Sequence, residues 1–497
     1  YDNVGSAAEL RALTDALQAA VAAPAGTHGS GPLLIAADQE GGQLVGLGDD
    51  STAFAGAMAL GAAADVELAE RVARATGREM RALGVNVNYA PVCDLATEPA
   101  NPSLGIRSFG DDPAAVAALV GATVRGLQAE GVAATAKHFP GKGEAAVDSH
   151  HAMPVVRRTR EEMLGRELVP FRAAIDAGVR LVMSGHFAAP ALGGDEATPG
   201  TLSQPVMTAL LRHELGFDGV AITDALDMRA LGQGPLLVVE ALAALAAGND
   251  LLLATPDIFL AGELAAALEQ AELRGLVAAE RVALSRRRLA ELRSWLAGIG
   301  DRPGLEVVGC AEHRALAAEL AARAITLVRD EDGLLPLRLA AEATIGVVMP
   351  RPSDLTPADT SSFATAGLGA ALRSRHARAR ELVVEPSPTE GDTRAALELA
   401  GASDVLVVGT ISAALDARQA ELVGRLLGTG KPAITIALRT PWDLAAYPQA
   451  RTHLCSFGLL PPSLVALSAA MFGDAPIAGR LPVTLGRLYP RGHGLAR

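Results

Sequence analysis

The chain is 497 residues long, with 43 basic and 56 acidic side chains and a net charge of −13. Half of its residues are hydrophobic and a fifth are charged, which is enough to build cores and excludes intrinsic disorder. The acidic balance argues against a nucleic-acid partner, and three scattered cysteines (Cys93, Cys310, Cys455) exclude a disulfide scaffold and a structural zinc cluster.

In chain order, short apolar runs at 33–37, 85–91, 132–136, 181–184, 219–223 and 251–254 alternate with helix-period segments near 66–83, 113–130, 159–178, 204–215, 236–248 and 278–297. Runs this short and this apolar predict parallel strands buried on both faces. No GxGxxG follows any of them, which disfavours a dinucleotide-binding sheet and favours a parallel barrel. The predicted fold is α/β: a TIM-type (β/α) barrel over residues 1–300, lacking its first two strands, then an α/β three-layer sandwich over 301–497. Six units fall short of a closed barrel, so a raw sheet edge is expected, covered by a partner chain or another segment. A linker is read at 298–303. Beyond it, apolar runs near 325–328, 344–349, 382–384, 405–408, 433–438 and 453–457 alternate with helices near 311–323, 364–378, 392–401, 413–428 and 461–473. The segment 424–431 has the look of a phosphate loop, but Pro432 stands where Ser or Thr must hold magnesium. The apolar stretch 235–256 is broken by Glu240, Asn249 and Asp250, so no membrane span is predicted.

Polar residues cluster just after the first set of runs: Asp38, Asp94, Lys137, His138, His186 and Asp224. The ends of barrel strands are where active sites form. The only lysines are Lys137, Lys142 and Lys431 in a chain that otherwise uses Arg. Two of them lie within six residues, which points to a site wanting a compact ammonium. Asp148 and His150, two apart on a Gly- and Pro-rich loop, fit a carboxylate orienting an imidazole for acid–base work; metal ligation and a plain surface pair are the rivals. Asp224 suits a nucleophile or a charge stabiliser, and equally a helix N-cap. Asp38 and Glu40 beside Gly41 and Gly42 allow close approach of a hydroxylated ligand, or form a tight turn. Arg107 is a ligand-binding candidate or a salt-bridge partner of Asp111 or Asp112.

The stretches 38–42 (DQEGG), 86–94 (NVNYAPVCD), 107–113 (RSFGDDP), 137–141 (KHFPG), 148–154 (DSHHAMP), 215–228 (LGFDGVAITDALDM) and 325–337, with 438–446 (LRTPWDLAA) in the second domain, together resemble family 3 glycoside hydrolases, in the two-domain form of the bacterial β-N-acetylglucosaminidase branch. The resemblance runs in order along nearly the whole chain. It implies a retaining exo-β-N-acetylhexosaminidase acting on small cell-wall or chitin-derived glycosides. Asp224 would attack the anomeric carbon, and His150, paired with Asp148, would be the acid/base, a departure from two carboxylates. Asp38, Arg107, Lys137 and His138 would hold sugar hydroxyls. No cofactor or metal is implied, and the expected partner is a small carbohydrate; 3% aromatic content suits a pocket for one sugar. Two arginines usual after the Asp-Gln-Glu-Gly-Gly stretch are replaced here by Gln43 to Gly46, which withdraws support for an anionic or peptide-bearing leaving group. Lys142 and Glu144 stand where the family has His and Asp. The alternatives are a phosphorylase or another β-glycosidase of this family, and a sugar-binding protein without activity. Three unpaired cysteines favour the cytoplasm; the chain opens on Tyr1, so a signal peptide before it is not read.

Overall fold

The computed structural model describes residues 5–22, 31–145, 148–149, 152–232, 236–254 and 257–497. Five strands pair in parallel and in chain order: β1 (Ala36–Ala37), β2 (Val87–Asn88), β3 (Ala133–Phe139), β4 (Leu181–Ser184) and β5 (Val220–Thr223). Leu251 adds a parallel bridge to Ile222. These coincide with the six apolar runs. β3, β4 and β5 are buried along their whole length, as strands covered on both faces must be. Among the described residues the sheet is a parallel half-barrel and not a closed barrel.

The two faces of this sheet are covered differently. Val182 and Ala221 join Leu168, Phe171 and Leu211 under the helices that follow the strands. Leu181, Met183, Val220 and Ile222, with Val87 and Ala133, instead meet Leu292 and Leu296 of helix Ala279–Ala297. That helix lies on the face that would turn inward in a closed barrel. The sequence pattern identified it as a helix but not as an inner one. It also answers the raw edge. Arg293 donates to the carbonyls of Gly31 (2.6 Å) and Pro32 (3.1 Å) ahead of β1. From helix Ala7–Ala22, Gln18 brackets Leu33, bonding its N–H and its carbonyl at 2.9 Å each.

Helices Val66–Ala82 and Pro113–Ala129 each begin at an aspartate that caps them: Asp65 accepts from Leu68 N–H and Asp112 from Ala115 N–H. The segment expected as one helix over 159–178 is split. A capped turn at Arg160–Glu162 runs into a wider π turn at Met163–Glu167, and then helix Val169–Asp176. The segment Pro205–Glu214 is π-helical throughout.

The second sheet has six strands: β6 (Thr326–Asp330), β7 (Ile345–Pro350), β8 (Ala379–Val384), β9 (Val405–Thr410), β10 (Ala433–Ala437) and β11 (Thr452–Cys455). Their order is β6-β11-β10-β9-β7-β8, parallel except for β6 against β11. The chain reverses its direction of travel across the sheet between β7 and β9, so the loops after these strands flank a crevice. Helices join the two sheets. The buried Glu79 carboxylate of helix Val66–Ala82 accepts from Thr52 N–H, Gly309 N–H and His313 Nδ1 (2.7 Å) of helix Ala311–Ala324.

Candidate active site

A cavity of about 410 Å³ opens at the C-terminal edge of the first sheet. Asp38 comes from the loop after β1, Tyr89 from just after β2, Lys137 and His138 from the end of β3, and Asp224 from the residue after β5; all line it, with Arg107 and Lys142.

One wall is a closed ionic network. Lys137 Nζ lies 2.6 Å from Asp38 Oδ1 and 2.6 Å from Glu40 Oε1. Arg107 grips Glu40 with two parallel bonds of 2.8 and 2.9 Å and donates to the Ser103 carbonyl. Burial pushes the Glu40 carboxyl up, but Arg107 and Lys137 outweigh it and hold it at about 2. Burial likewise pulls the Lys137 ammonium down, and Asp38 and Glu40 more than restore it. Arg107 therefore pairs with Glu40, and Asp111 and Asp112 pair instead with Arg491. Gly41 and Gly42 have φ of 78° and 63°, and a Cβ on Gly42 would sit 2.9 Å from the Ala55 carbonyl. Their close approach is to the backbone at 54–56, not to the cavity.

The other wall carries Asp224. Its N–H donates to the Ser184 carbonyl and its Oδ1 accepts from Ala225 N–H at 2.9 Å, which aims the second oxygen away from the backbone. His138 Nε2 lies 3.9 Å from Asp224 Oδ2. His138 Nδ1 meets Asp94 Oδ2 at 2.7 Å, so the proton sits on Nδ1 and Nε2 is left as an acceptor. Burial, then the Lys142 charge, hold the His138 imidazole well below its ordinary pKa, so it is neutral. Burial also works against ionisation of Asp224, but His138, His186 and Lys142 outweigh it, and the carboxyl sits well below its usual range. His186, also pushed down by burial, is neutral as well, so with both imidazoles neutral the charge facing Asp224 is the Lys142 ammonium. His186 itself is sealed, bonded to Thr201 Oγ1 and to the Ala225 carbonyl. Tyr89 keeps its proton, because burial and the nearby Asp38 and Asp224 all push the phenol up.

Asp148 is buried, and Ser149 accepts from Ala230 N–H at 3.1 Å, tying its loop to the one that follows Asp224. His150 lies outside the described residues. Among the described residues no three His, Cys, Asp or Glu side chains group where they could hold a metal ion. The model for the "Glycosyl hydrolase family 3 N terminal domain" matches residues 2–292. The chain belongs to glycosyl hydrolase family 3.

Relatives extend the match through the second sheet. A protein named beta-hexosaminidase A, from Pseudoalteromonas piscicida, is 31% identical over 97% of this chain and 88% of its own length. A Cellulomonas fimi protein named beta-N-acetylglucosaminidase/beta-glucosidase is 31% identical over 95% of this chain and 87% of its own. Among solved structures, a family 3 β-N-acetylglucosaminidase from Paenibacillus superposes with a TM-score of 0.89 at 35% identity, covering 96% of this chain and 90% of that one. This family 3 chain is thus a glycoside hydrolase, and its mixed α/β fold of a parallel half-barrel sheet and a second sheet superposes on that enzyme along nearly its whole length.

Of the residues singled out in the sequence, the structure brings Asp38, Arg107, Lys137, His138 and Asp224 to one cavity. Sequence reasoning named no role for Tyr89, Asp227, Arg229, Pro357 or Ala358, which also line it. Tyr89 lay inside a quoted motif, and Lys142 was marked by the rarity of lysine. Pro357 and Ala358 carry no functional group and gave no signal. Among the described residues no helix is long and apolar enough to cross a membrane.

Proposed function

We propose that this family 3 enzyme is a retaining, exo-acting β-N-acetylhexosaminidase. It removes terminal β-linked GlcNAc from small cell-wall or chitin-derived glycosides through a covalent glycosyl–Asp224 intermediate. The observation that carries the reading is an ionised, cavity-facing Asp224 opposite a wall of hydroxyl-binding groups. Asp38 accepts from vicinal hydroxyls, Lys137 and Arg107 donate, and neutral His138 offers Nε2 as an acceptor. His150, oriented by Asp148, protonates the departing oxygen and then takes a proton from water. The names of the relatives support the choice of sugar. The same reading divides the chain near residue 300 into a (β/α) barrel short of strands and an α/β three-layer sandwich.

Asp224→Ala tests it. Release of 4-nitrophenol from its β-GlcNAc glycoside is expected to fall by on the order of 10⁴-fold or more with the fold retained; substantial residual turnover overturns the assignment. One observation favours a second reading, phosphorolysis. Lys142 lines the cavity, and among the described residues its ammonium has no carboxylate within ion-pair distance, which suits an anionic acceptor in place of water. Adding phosphate then converts the product from free GlcNAc to the sugar 1-phosphate.

A further inference from the structure

Tyr89, Met183 and Leu253 line the cavity and belong at the same time to the core on the inward face of the first sheet, with Val87, Leu181, Val220 and Ile222. The cavity therefore rests on these three side chains, which are its floor. Met183 and Leu253 offer carbon and sulfur surface there. Tyr89 adds one neutral hydroxyl, which makes no hydrogen bond among the described residues and is not sealed in the core.

The backbone fixes where that hydroxyl enters. Tyr89 directly follows β2, and its N–H donates to the Ala37 carbonyl at the end of β1 (2.9 Å). One residue earlier, the Asn88 side chain brackets Gln39, accepting from its N–H and donating to its carbonyl at 3.0 Å each. Asp38 lies between the two residues tied in this way. Tyr89 and Asp38 thus come to the cavity side by side from neighbouring strands. Burial, then Asp38 and Asp224, push the phenol up, so it stays protonated and is available as a donor.

An exo-acting pocket admits the terminal sugar by its non-reducing end. The anomeric carbon stops at Asp224, and the floor meets the groups farthest from it. The charged wall of Asp38, Lys137 and Arg107 suits ring hydroxyls, which are polar on every side. The floor is of another kind, because it joins carbon surface to a single uncharged hydroxyl. The hydroxymethyl group of a hexose has the same make-up, and it stands next to a ring hydroxyl as Tyr89 stands next to Asp38. The acetamido group also joins carbon to polar atoms, but it sits beside the anomeric carbon and so at the level of Asp224. A carboxylate in place of the hydroxymethyl would bring a second negative charge to Asp38 and bury it against Met183 and Leu253, which is costly.

We propose that Tyr89, Met183 and Leu253 form the subsite for the hydroxymethyl group of the transferred sugar, and that Tyr89 is a specificity-determining residue whose hydroxyl donates to the oxygen of that group. The enzyme then selects terminal hexoses with a free hydroxymethyl over pentoses and uronates. This rests on the hydrolase reading above. The test compares 4-nitrophenyl β-GlcNAc with its 6-deoxy analogue, which share the leaving group and the acetamido group. For the wild type, kcat/KM is expected to be about ten-fold or more lower on the 6-deoxy compound. Tyr89→Phe keeps the ring and removes the donor. Its kcat/KM on the parent glycoside falls about ten-fold, while that on the 6-deoxy compound changes less than about two-fold. Equal losses on both glycosides, no loss on either, or a wild type that cleaves the two equally well overturns the subsite and leaves the hydrolase reading intact. If the wild type acts on the β-glucoside and not on the β-GlcNAc glycoside, the sugar assignment fails, and the same comparison with the 6-deoxyglucoside decides the subsite. Inactivity on all four compounds overturns the hydrolase reading and the subsite with it.

Discussion

Two buried clusters of opposite charges sit at opposite ends of the first sheet. At its C-terminal edge Asp38 and Glu40 meet Lys137 and Arg107. At its N-terminal edge Asp250, just before the strand position of Leu251, meets Arg212 (2.6 Å), Arg288 (3.3 Å) and Arg281, and also accepts from Ser285 and from Ala221 N–H. The residue types are the same, but the settings differ. The first cluster lines a cavity, so its polar groups can still turn to a ligand. The second holds the buried Asp250 carboxylate under three arginines and ties helix Ala279–Ala297, which carries Arg281 and Arg288, to the start of the strands. A buried ion cluster therefore says little about function until its access to a cavity is known.

The sharpest way to break this comparison is at Asp250. Asp250→Ala strands three arginines around a buried gap. It is expected to lower stability by about 3–5 kcal/mol in denaturant unfolding, with kcat of the folded fraction nearly unchanged. Asp224→Ala does the reverse. A variant at Asp250 that kept its stability and lost its activity would reverse the assignment of the two ends.

A third buried acid has neither arrangement. Glu167, on the π turn beneath Gly141, has both carboxyl oxygens without a hydrogen bond among the described residues, and the nearest Arg158 nitrogen is 3.8 Å away. Burial raises its carboxyl to about 7, against the pull of Arg158. The folded state then holds this proton where the unfolded chain has lost it. Its contribution to stability is full below about pH 4.5 and declines as the pH rises toward 7, by on the order of 3 kcal/mol in all. Glu167→Gln is expected to remove that slope from unfolding measured between pH 4.5 and 7.5. An unchanged slope would place the titration elsewhere.

The smallest effect concerns tuning within the cavity cluster. Without the ammonium, Lys142→Met lets both Asp224 and His138 rise. The acidic limb of the kcat/KM profile should then move upward by about half to one pH unit, with thermal stability little changed. An unmoved limb would show that Lys142 does not set the charge of Asp224.

Most strands of both sheets were legible as short runs with no polar face to dilute them, as at 181–184 and 405–408, whereas β8 was legible only at its apolar end, because Arg380 and Glu381 interrupt it. The reach of Lys137 and Asp224 was legible because polar residues directly after such runs have one edge to go to. Three things were not legible. A period near 3.6 does not separate the π-helical 205–214 from an α-helix. The helical pattern at 278–297 carries no sign of which side of a sheet it will cover. Asp250 read only as a break in an apolar stretch, since the arginines that surround it lie as far as 38 residues away in the chain.

Helix Ala279–Ala297 also bears on the order in which the enzyme comes together. During synthesis the residues that line the cavity from the first sheet, ending at Leu253, emerge well before Leu292 and Leu296. Until then the inward side chains of β2 to β5 have no cover, and the nascent chain presents an oily, unpaired sheet to its surroundings. The last lining residues, Pro357 and Ala358, arrive later still. Asp224 is thus in place early, but its cavity is not enclosed until the second sheet has begun to form, which delays a complete pocket until most of the polypeptide has left the ribosome.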